Sequence, residues 1–282
     1  MRGKTVVITG ASSGIGLETA RALASLGARI VMVVRSRERG EAAIASIRTS
    51  TPEAPLELVL ADLYSLAEVR KAGAELCAKL ERVDVLINNA GLIHASRELT
   101  VDGFERTFAL NHLAGFLLTY ELRDLLVASA PARIVTVSSA GHNFARFEWG
   151  DLATMNRWKG ETFVYGASKL CNIWFARECA RRLAGKGVTS NALHPGPVAS
   201  NFGQSGSWLF KYGSRLARPF LLTTAQGART SVYLASSPDV AGITGEYFAK
   251  CAIKRPSARA RDDASARRLW ELSEQLCGVS WA

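Results

Sequence analysis

Tyr165 and Lys169 stand four residues apart in the run Tyr-Gly-Ala-Ser-Lys. On a helix that spacing brings both side chains to one face, about one turn apart. A free phenol titrates near pH ~10 and is a poor proton donor or acceptor at neutrality. A neighbouring ammonium favours the phenolate and lowers that pKa, which would make Tyr165 a workable acid/base. Alone, the pair reads more readily as a surface Tyr and Lys on an amphipathic helix, so its meaning depends on what stands upstream. Two features do: Ser138-Ser139, and a glycine-rich turn, Thr9-Gly10-Ala11-Ser12-Ser13-Gly14-Ile15-Gly16.

The elements that must position these residues follow from the hydrophobic pattern. Continuous β-branched or aliphatic runs predict strands over residues 5–9, 29–34, 56–61, 83–87, 133–137 and 188–193, with a last short strand around 246–248. Between them, three- and four-residue apolar spacing predicts helices over 14–26, 38–50, 66–80, 102–128, a stretch from about 161 to Gly185 or Gly187, and 224–235. Apolar strands alternating with helices predict a single α/β domain spanning 1–282. Its parallel sheet has about seven strands with helices on both faces, doubly wound in the Rossmann manner, and its ligand crevice lies at the carboxyl ends of the strands. The first glycine-rich turn joins a strand to a helix, the context in which glycines admit a diphosphate to free N–H groups at a helix N-terminus. Its spacing is G-x-x-x-G-x-G.

That spacing, with Asn88-Asn89-Ala90-Gly91 after the fourth strand, Asn111, Ser139 and the Tyr-x-x-x-Lys pair, resembles the short-chain dehydrogenase/reductase family from about Lys4 to Phe248. The runs Leu110-Asn111-His112-Leu113-Ala114-Gly115-Phe116 and His194-Pro195-Gly196-Pro197-Val198, and Arg268-Leu269-Trp270 in the tail, are most similar to its retinol-dehydrogenase-like branch. Membrane-bound members of that branch carry an N-terminal hydrophobic anchor, and none is expected here. The resemblance implies roles. Tyr165 would be the acid/base, Lys169 would lower its pKa and hold the nicotinamide ribose, Ser139 would bond the substrate oxygen, and Asn111 would hold a water in a proton relay. Of Ser138 and Ser139, the family pattern favours the second. Gly10, Ser12, Ser13, Gly14, Ile15 and Gly16 would cradle the diphosphate. Asp62 and Leu63 would meet the adenine, Asn89, Ala90 and Gly91 would line the cofactor, and Pro195 and Val198 would face the nicotinamide. The second strand ends on Arg35-Ser36-Arg37 with no acidic residue before Glu38. A carboxylate there suits a ribose hydroxyl whereas Arg suits a 2′-phosphate, so NADP(H) is expected over NAD(H). The family also implies a homodimer or homotetramer, built on the helices around 102–128 and 163–184.

Composition narrows the rest. The net charge is +10, and no Asp or Glu occurs between Cys179 and Pro238. A second basic cluster runs from Lys250 to Arg268 within the C-terminal tail, 250–282. No nucleic-acid reading motif accompanies these charges. They suit a solvated face, attraction to an anionic cofactor, or weak peripheral contact with anionic lipid. No apolar run reaches the roughly 20 residues of a membrane span, and five scattered cysteines without C-x-x-C spacing suit reduced thiols in the cytoplasm. No metal is expected: the four histidines are isolated, with His94 and His112 read as structural and His142 and His194 as loop residues near the site. The apolar stretch from Phe202 to Leu222, within 199–223, is expected to be a lid over a hydrophobic alcohol, aldehyde or ketone, with core packing of a short helix pair as the alternative. Two other classes stay open on this fold, a catalytically silent dinucleotide sensor and a membrane- or partner-binding scaffold. Within enzymes, epimerase or dehydratase chemistry stays open too.

Overall fold

A computed structural model describes residues 1–198 and 221–281. The segment 199–220, most of the expected lid, lies outside the described residues.

Eight strands form one sheet in the order β3-β2-β1-β4-β5-β6-β7-β8. These are β1 (Thr5–Thr9), β2 (Arg29–Val34), β3 (Leu56–Leu60), β4 (Val85–Asn88), β5 (Ala132–Val137), β6 (Val188–His194), β7 (Tyr247–Ala249) and β8 (Ala252–Ile253). The first seven run parallel, and only β8 is antiparallel, returning from β7 through a tight turn at Lys250 and Cys251. That two-residue strand raises the expected seven strands to eight. Its exposed residues carry no periodic signal. The chain winds outward from β1 to β3 and returns to place β4 beside β1. This reversal creates the crevice of a doubly wound sheet.

Helices α1 (Gly14–Ser25), α2 (Arg37–Arg48) and α8 (Thr224–Ser236) cover one face. They bury Leu23, Ile47 and Leu234 against Ile8, Ile30 and Met32. The other face packs under α3 (Leu66–Lys79), α5 (Ala114–Glu121) and α7 (Glu161–Arg182). Side-chain oxygens start half of these helices: Ser36 accepts from the Arg39 amide, Ser65 from Glu68, and Thr223 and Gln226 form a reciprocal capping box. α1 differs. Ser13 makes no side-chain cap, and the first turn carries no acid.

The expected long helix over 102–128 is broken. Asp102 lies before it, its carboxylate accepting from the Leu66 amide. Buried Glu105 instead caps α4 (Arg106–Phe108) by accepting from the Thr107 and Phe108 amides. A π-turn follows over Ala109–Leu113, then α5, then α6 (Arg123–Ala128). The tail is no appendage. Asp262 caps α9 (Asp263–Cys277), which ends on left-handed Gly278. Its Trp270 is 1 % exposed and stacks on Phe175 of α7 at 5.9 Å between ring centroids. α9 therefore covers part of the α7 surface on which a second copy of the chain was expected.

Candidate active site

The crevice opens where β1 and β4 end, and two side chains hold its walls together. Thr9 Oγ1 accepts from the amides of Asn89 and Ala90, both at 3.0 Å. Asn89 Nδ2 donates to Thr9 O at 2.8 Å and to Gly10 O at 3.3 Å. Gly10 and Gly14 turn with φ of 67° and 60°, a region costly for other residues. A Cβ on Gly16 would stand 2.5 Å from both Asn89 Nδ2 and Gly10 O. The glycines thus let the β1–α1 turn close on the β4 loop and keep the α1 N-terminus bare. Uncapped N–H groups there, with no acidic neighbour, fit the diphosphate of a dinucleotide. Ile15 and Val198 both approach Gly227 of α8, so the loop after β6 meets the same wall. Arg35 is exposed beyond β2 and has no hydrogen bond or ion pair within the described residues, whereas Arg29 pairs with Glu57 and Arg37 with Glu41. Asp62 accepts from the Tyr64 amide at 3.2 Å, beside buried Leu63.

Ser139 follows β5, while Tyr165 and Lys169 lie on α7 one turn apart. Ser138 and Ser139 point in different directions. The Ser138 hydroxyl is buried and donates to the Lys169 carbonyl at 2.6 Å. Ser139 Oγ accepts from the Gly141 amide at 3.0 Å and hydrogen-bonds the Tyr165 phenol. Gly141 is tight against this pair, since a Cβ there would lie 3.1 Å from the tyrosine ring. Lys169 is 3 % exposed; its Nζ donates to Val137 O at 3.0 Å and stands 5.6 Å from the Tyr165 ring centroid.

Desolvation acts on both members of the Tyr165–Lys169 pair. Burial raises Tyr165 to about 12, with the Ser139 hydrogen bond pulling the other way. The same burial lowers Lys169 to about 7, because a low-dielectric site disfavours the ammonium. Both shifts run toward the uncharged forms, as desolvation by burial requires.

Asn111 sits in the π-turn with its amide committed. Oδ1 accepts from the Leu92 amide at 2.9 Å, and Nδ2 donates to Leu92 O at 3.0 Å and to Ser168 Oγ at 2.9 Å. This clasp accounts for the widened turn, because Asn111 is drawn toward the loop after β4. A Cβ on Gly91 would lie 3.0 Å from Asn111 Oδ1 and 3.1 Å from Lys169 Nζ, so these three groups converge. Any water relay must use the second lone pair of Oδ1 or the backbone.

Sequence reading missed four contributors. Thr9 and Asn172, whose Nδ2 shares Val137 O with Lys169 at 3.0 Å, are buried polar residues within apolar runs. His142 and His194, expected in loops near the site, bind the backbone around Ser139, and His194 is the last residue of β6 rather than a loop residue. A histidine three residues after a candidate catalytic serine was the available signal. Among the described residues no group of His, Cys, Asp and Glu could hold a metal, and all five cysteines are free.

A profile of the short chain dehydrogenase family matches residues 4–207. The chain belongs to that family. Retinol dehydrogenase 12 of Mus musculus is 42 % identical over 279 residues, covering 99 % of this chain and 88 % of the relative. Retinol dehydrogenase 14 of Homo sapiens is 42 % identical over 300 residues, with the same coverage. These likenesses place the chain in the retinol-dehydrogenase-like branch. Among solved structures, an uncharacterized protein from Mycobacterium Paratuberculosis matches with a TM-score of 0.79 and 34 % identity, over 100 % of this chain and 96 % of that one. The Pseudomonas aeruginosa RhlG/NADP active-site complex matches with a TM-score of 0.69 and 26 % identity, over 88 % and 94 %. Short-chain dehydrogenases are oxidoreductases that use nicotinamide cofactors, and the bare α1 N-terminus beside Gly10, Gly14 and Gly16 fits the diphosphate of such a group. No described helix is long and apolar enough to cross a membrane.

Proposed function

We propose that the protein is an NADP(H)-dependent alcohol dehydrogenase or carbonyl reductase acting on a hydrophobic alcohol, aldehyde or ketone. The observation that carries this reading is the Ser139–Tyr165 hydrogen bond, set above Lys169 at the carboxyl edge of the sheet and beside the uncapped α1. A silent dinucleotide sensor would have no use for that arrangement.

The nicotinamide, when bound, supplies or accepts the hydride. The chain supplies orientation and a proton. Ser139 Oγ donates toward the substrate oxygen, where negative charge grows during reduction. Tyr165 Oη gives that oxygen its proton, or takes it when an alcohol is oxidised. Lys169 stabilises the phenolate left behind, more effectively as its ammonium form is populated. Arg35 provides the guanidinium for a 2′-phosphate, and the lack of a carboxylate partner for it among the described residues supports this role. The retinol dehydrogenase names of the relatives support a hydrophobic alcohol as substrate. Assembly as a homodimer or homotetramer belongs to the same proposal, on surfaces other than the part of α7 that α9 covers.

The test is loss of NADPH absorbance across a panel of apolar aldehydes, ketones and quinones, with NADP reduction by the matching alcohols. Tyr165→Phe removes only the proton-carrying oxygen, so turnover should fall by at least about a hundredfold while NADPH affinity holds. A variant within tenfold of the wild type refutes the role of Tyr165. A wild type that binds NADPH but turns over none of the panel refutes the oxidoreductase reading.

A further inference from the structure

Two histidines that the reaction does not itself require approach the backbone of the Ser139 loop. His142 lies in the 3-10 turn Ala140–Phe144 and is 4 % exposed. Its Nδ1 is 2.7 Å from Ser139 O, and a carbonyl can only accept, so Nδ1 carries the hydrogen. On its far side Nε2 lies 3.3 Å from the Ser257 amide, which can only donate. These partners specify a neutral ring in one tautomer. His194 ends β6, and its Nδ1 accepts from the Ala140 amide at 3.2 Å, so that nitrogen carries a lone pair. The two rings therefore hold the two sides of a single peptide unit, one gripping the carbonyl of Ser139 and the other the N–H of Ala140. From the same unit Ser139 Oγ reaches Tyr165.

We propose that His142 and His194 are positioning residues that clamp the Ser139–Ala140 peptide from both sides and so fix the Ser139 hydroxyl against the Tyr165 phenol. The inference rests on the proposed role of Ser139. It extends that reading to residues that hold the backbone on which Ser139 stands. Freed of the clamp, the peptide could rotate and carry the hydroxyl off its line, and a displacement of about 1 Å costs a reaction up to about a hundredfold.

The surroundings keep both rings neutral, as the clamp demands. Burial is the first cause for each: it lowers His142, and it lowers His194 to about 4. Exposed Lys254 opposes protonation of both, and His142 adds to the effect on His194. The remaining groups facing His142 are the Tyr247 ring of β7, in edge contact at 5.4 Å, and the Ser139 carbonyl, which alone favours its charged form. A proton on His194 Nδ1 would set two donors against each other and release Ala140.

Substitution by Asn and by Leu separates the clamp from mere packing. An Asn amide can occupy the place of either Nδ1, offering N–H to Ser139 O from position 142 or a carbonyl to the Ala140 amide from position 194. His142→Leu and His194→Leu should each lose about ten- to a hundredfold in kcat with the NADPH dissociation constant within about twofold. His142→Asn and His194→Asn should recover most of the loss. In single-turnover measurements on a Ser139→Ala background, the Leu substitutions should cost less than about twofold, because the hydroxyl they position is gone. Leu variants that match wild-type kcat, or that cost as much without the Ser139 hydroxyl as with it, overturn the inference. If the wild type turns over no substrate, the oxidoreductase reading fails and the clamp is judged by imidazole nitrogen NMR at a pH of about 6. There His142 should be neutral with its hydrogen on Nδ1, and an Nε2–H or imidazolium form would refute the clamp.

Discussion

Lys169 offers a direct measurement of what the site does to charge. Burial takes its ammonium from the ordinary 10.5 to about 7 in the folded chain. Between those values the unfolded chain holds a proton that the folded chain does not, so stability must rise with pH across that window and level off below about 7. Taking the two values, the rise between pH 7 and 9 is about 2 kcal/mol from this one group. Buried thiols act oppositely. Cys171, Cys179 and Cys277 are all raised by burial from 9.0, so their contribution falls as pH climbs through 9.0 and above. Urea unfolding of the wild type and of Lys169→Met at a series of pH values removes that complication, because the thiols are common to both and cancel in the difference. The substitution orphans no carbonyl, since Val137 O keeps its bond from Asn172 Nδ2. Relative to the variant, the wild type should gain about 2 kcal/mol between pH 7 and 9. A difference flat across that range would show that the buried amine is not depressed.

Cofactor choice should turn on Arg35: removing one charge-assisted contact in Arg35→Ala should weaken NADPH by about ten- to a hundredfold, and Arg35→Asp should move the preference toward NADH, both read by fluorescence titration. A wild type that prefers NADH would refute the assignment. His112 lies fully buried among Phe108, Phe116 and Phe175 and is lowered to about 3 by burial. A lowered histidine means stability lost as pH falls from about 6.5 toward 3, so His112→Phe should lose about 3 kcal/mol less than the wild type between pH 7 and 4, and equal losses in denaturant unfolding would contradict it. Trp270→Ala should cost about 3–5 kcal/mol in the same assay, and a loss under 1 kcal/mol would show that α9 is dispensable to the α7 face. Gly16→Ala should abolish measurable NADPH binding while near-ultraviolet dichroism stays native; retained affinity would show that the β1–α1 turn can shift away from Asn89.

Most of the sheet was legible because a strand buried on both faces leaves an unbroken apolar run, as in Val6–Ile8, Val31–Val34 and Val85–Ile87. The β1–α1 turn was legible because glycine spacing answers to local backbone geometry. What failed to show was set by tertiary partners. Apolar periodicity continues through residues 102–128, so nothing there announces that Glu105 will cap a new start or that Asn111 will open a π-turn by reaching Leu92 across the crevice. Likewise α9 reads as a charged amphipathic tail until α7 supplies its second face. The choice between Ser138 and Ser139 followed family pattern alone, and the structure gives it a cause. Adjacent residues at a strand end face opposite sides. Ser138 therefore turns in to Lys169 O while Ser139 turns out to Tyr165.

The same logic explains why the lysine behaves against expectation. A residue pair read from spacing carries the charges its groups have when free in water, an ammonium and a neutral phenol, and from these alone the lysine depresses the tyrosine. The fold adds the desolvation that spacing cannot show. Burial works on both groups in the direction of neutrality, raising the phenol and lowering the amine. Phosphates bound at the bare α1 N-terminus and beside Arg35 would bring negative charge into this crevice and favour the ammonium again. Proton affinity at Lys169 and dinucleotide affinity are then linked quantities, each raising the other by the same factor. Under that linkage NADPH should bind more tightly at pH 7 than at pH 9, with the dependence abolished in Lys169→Met, and the same titration in both proteins measures it.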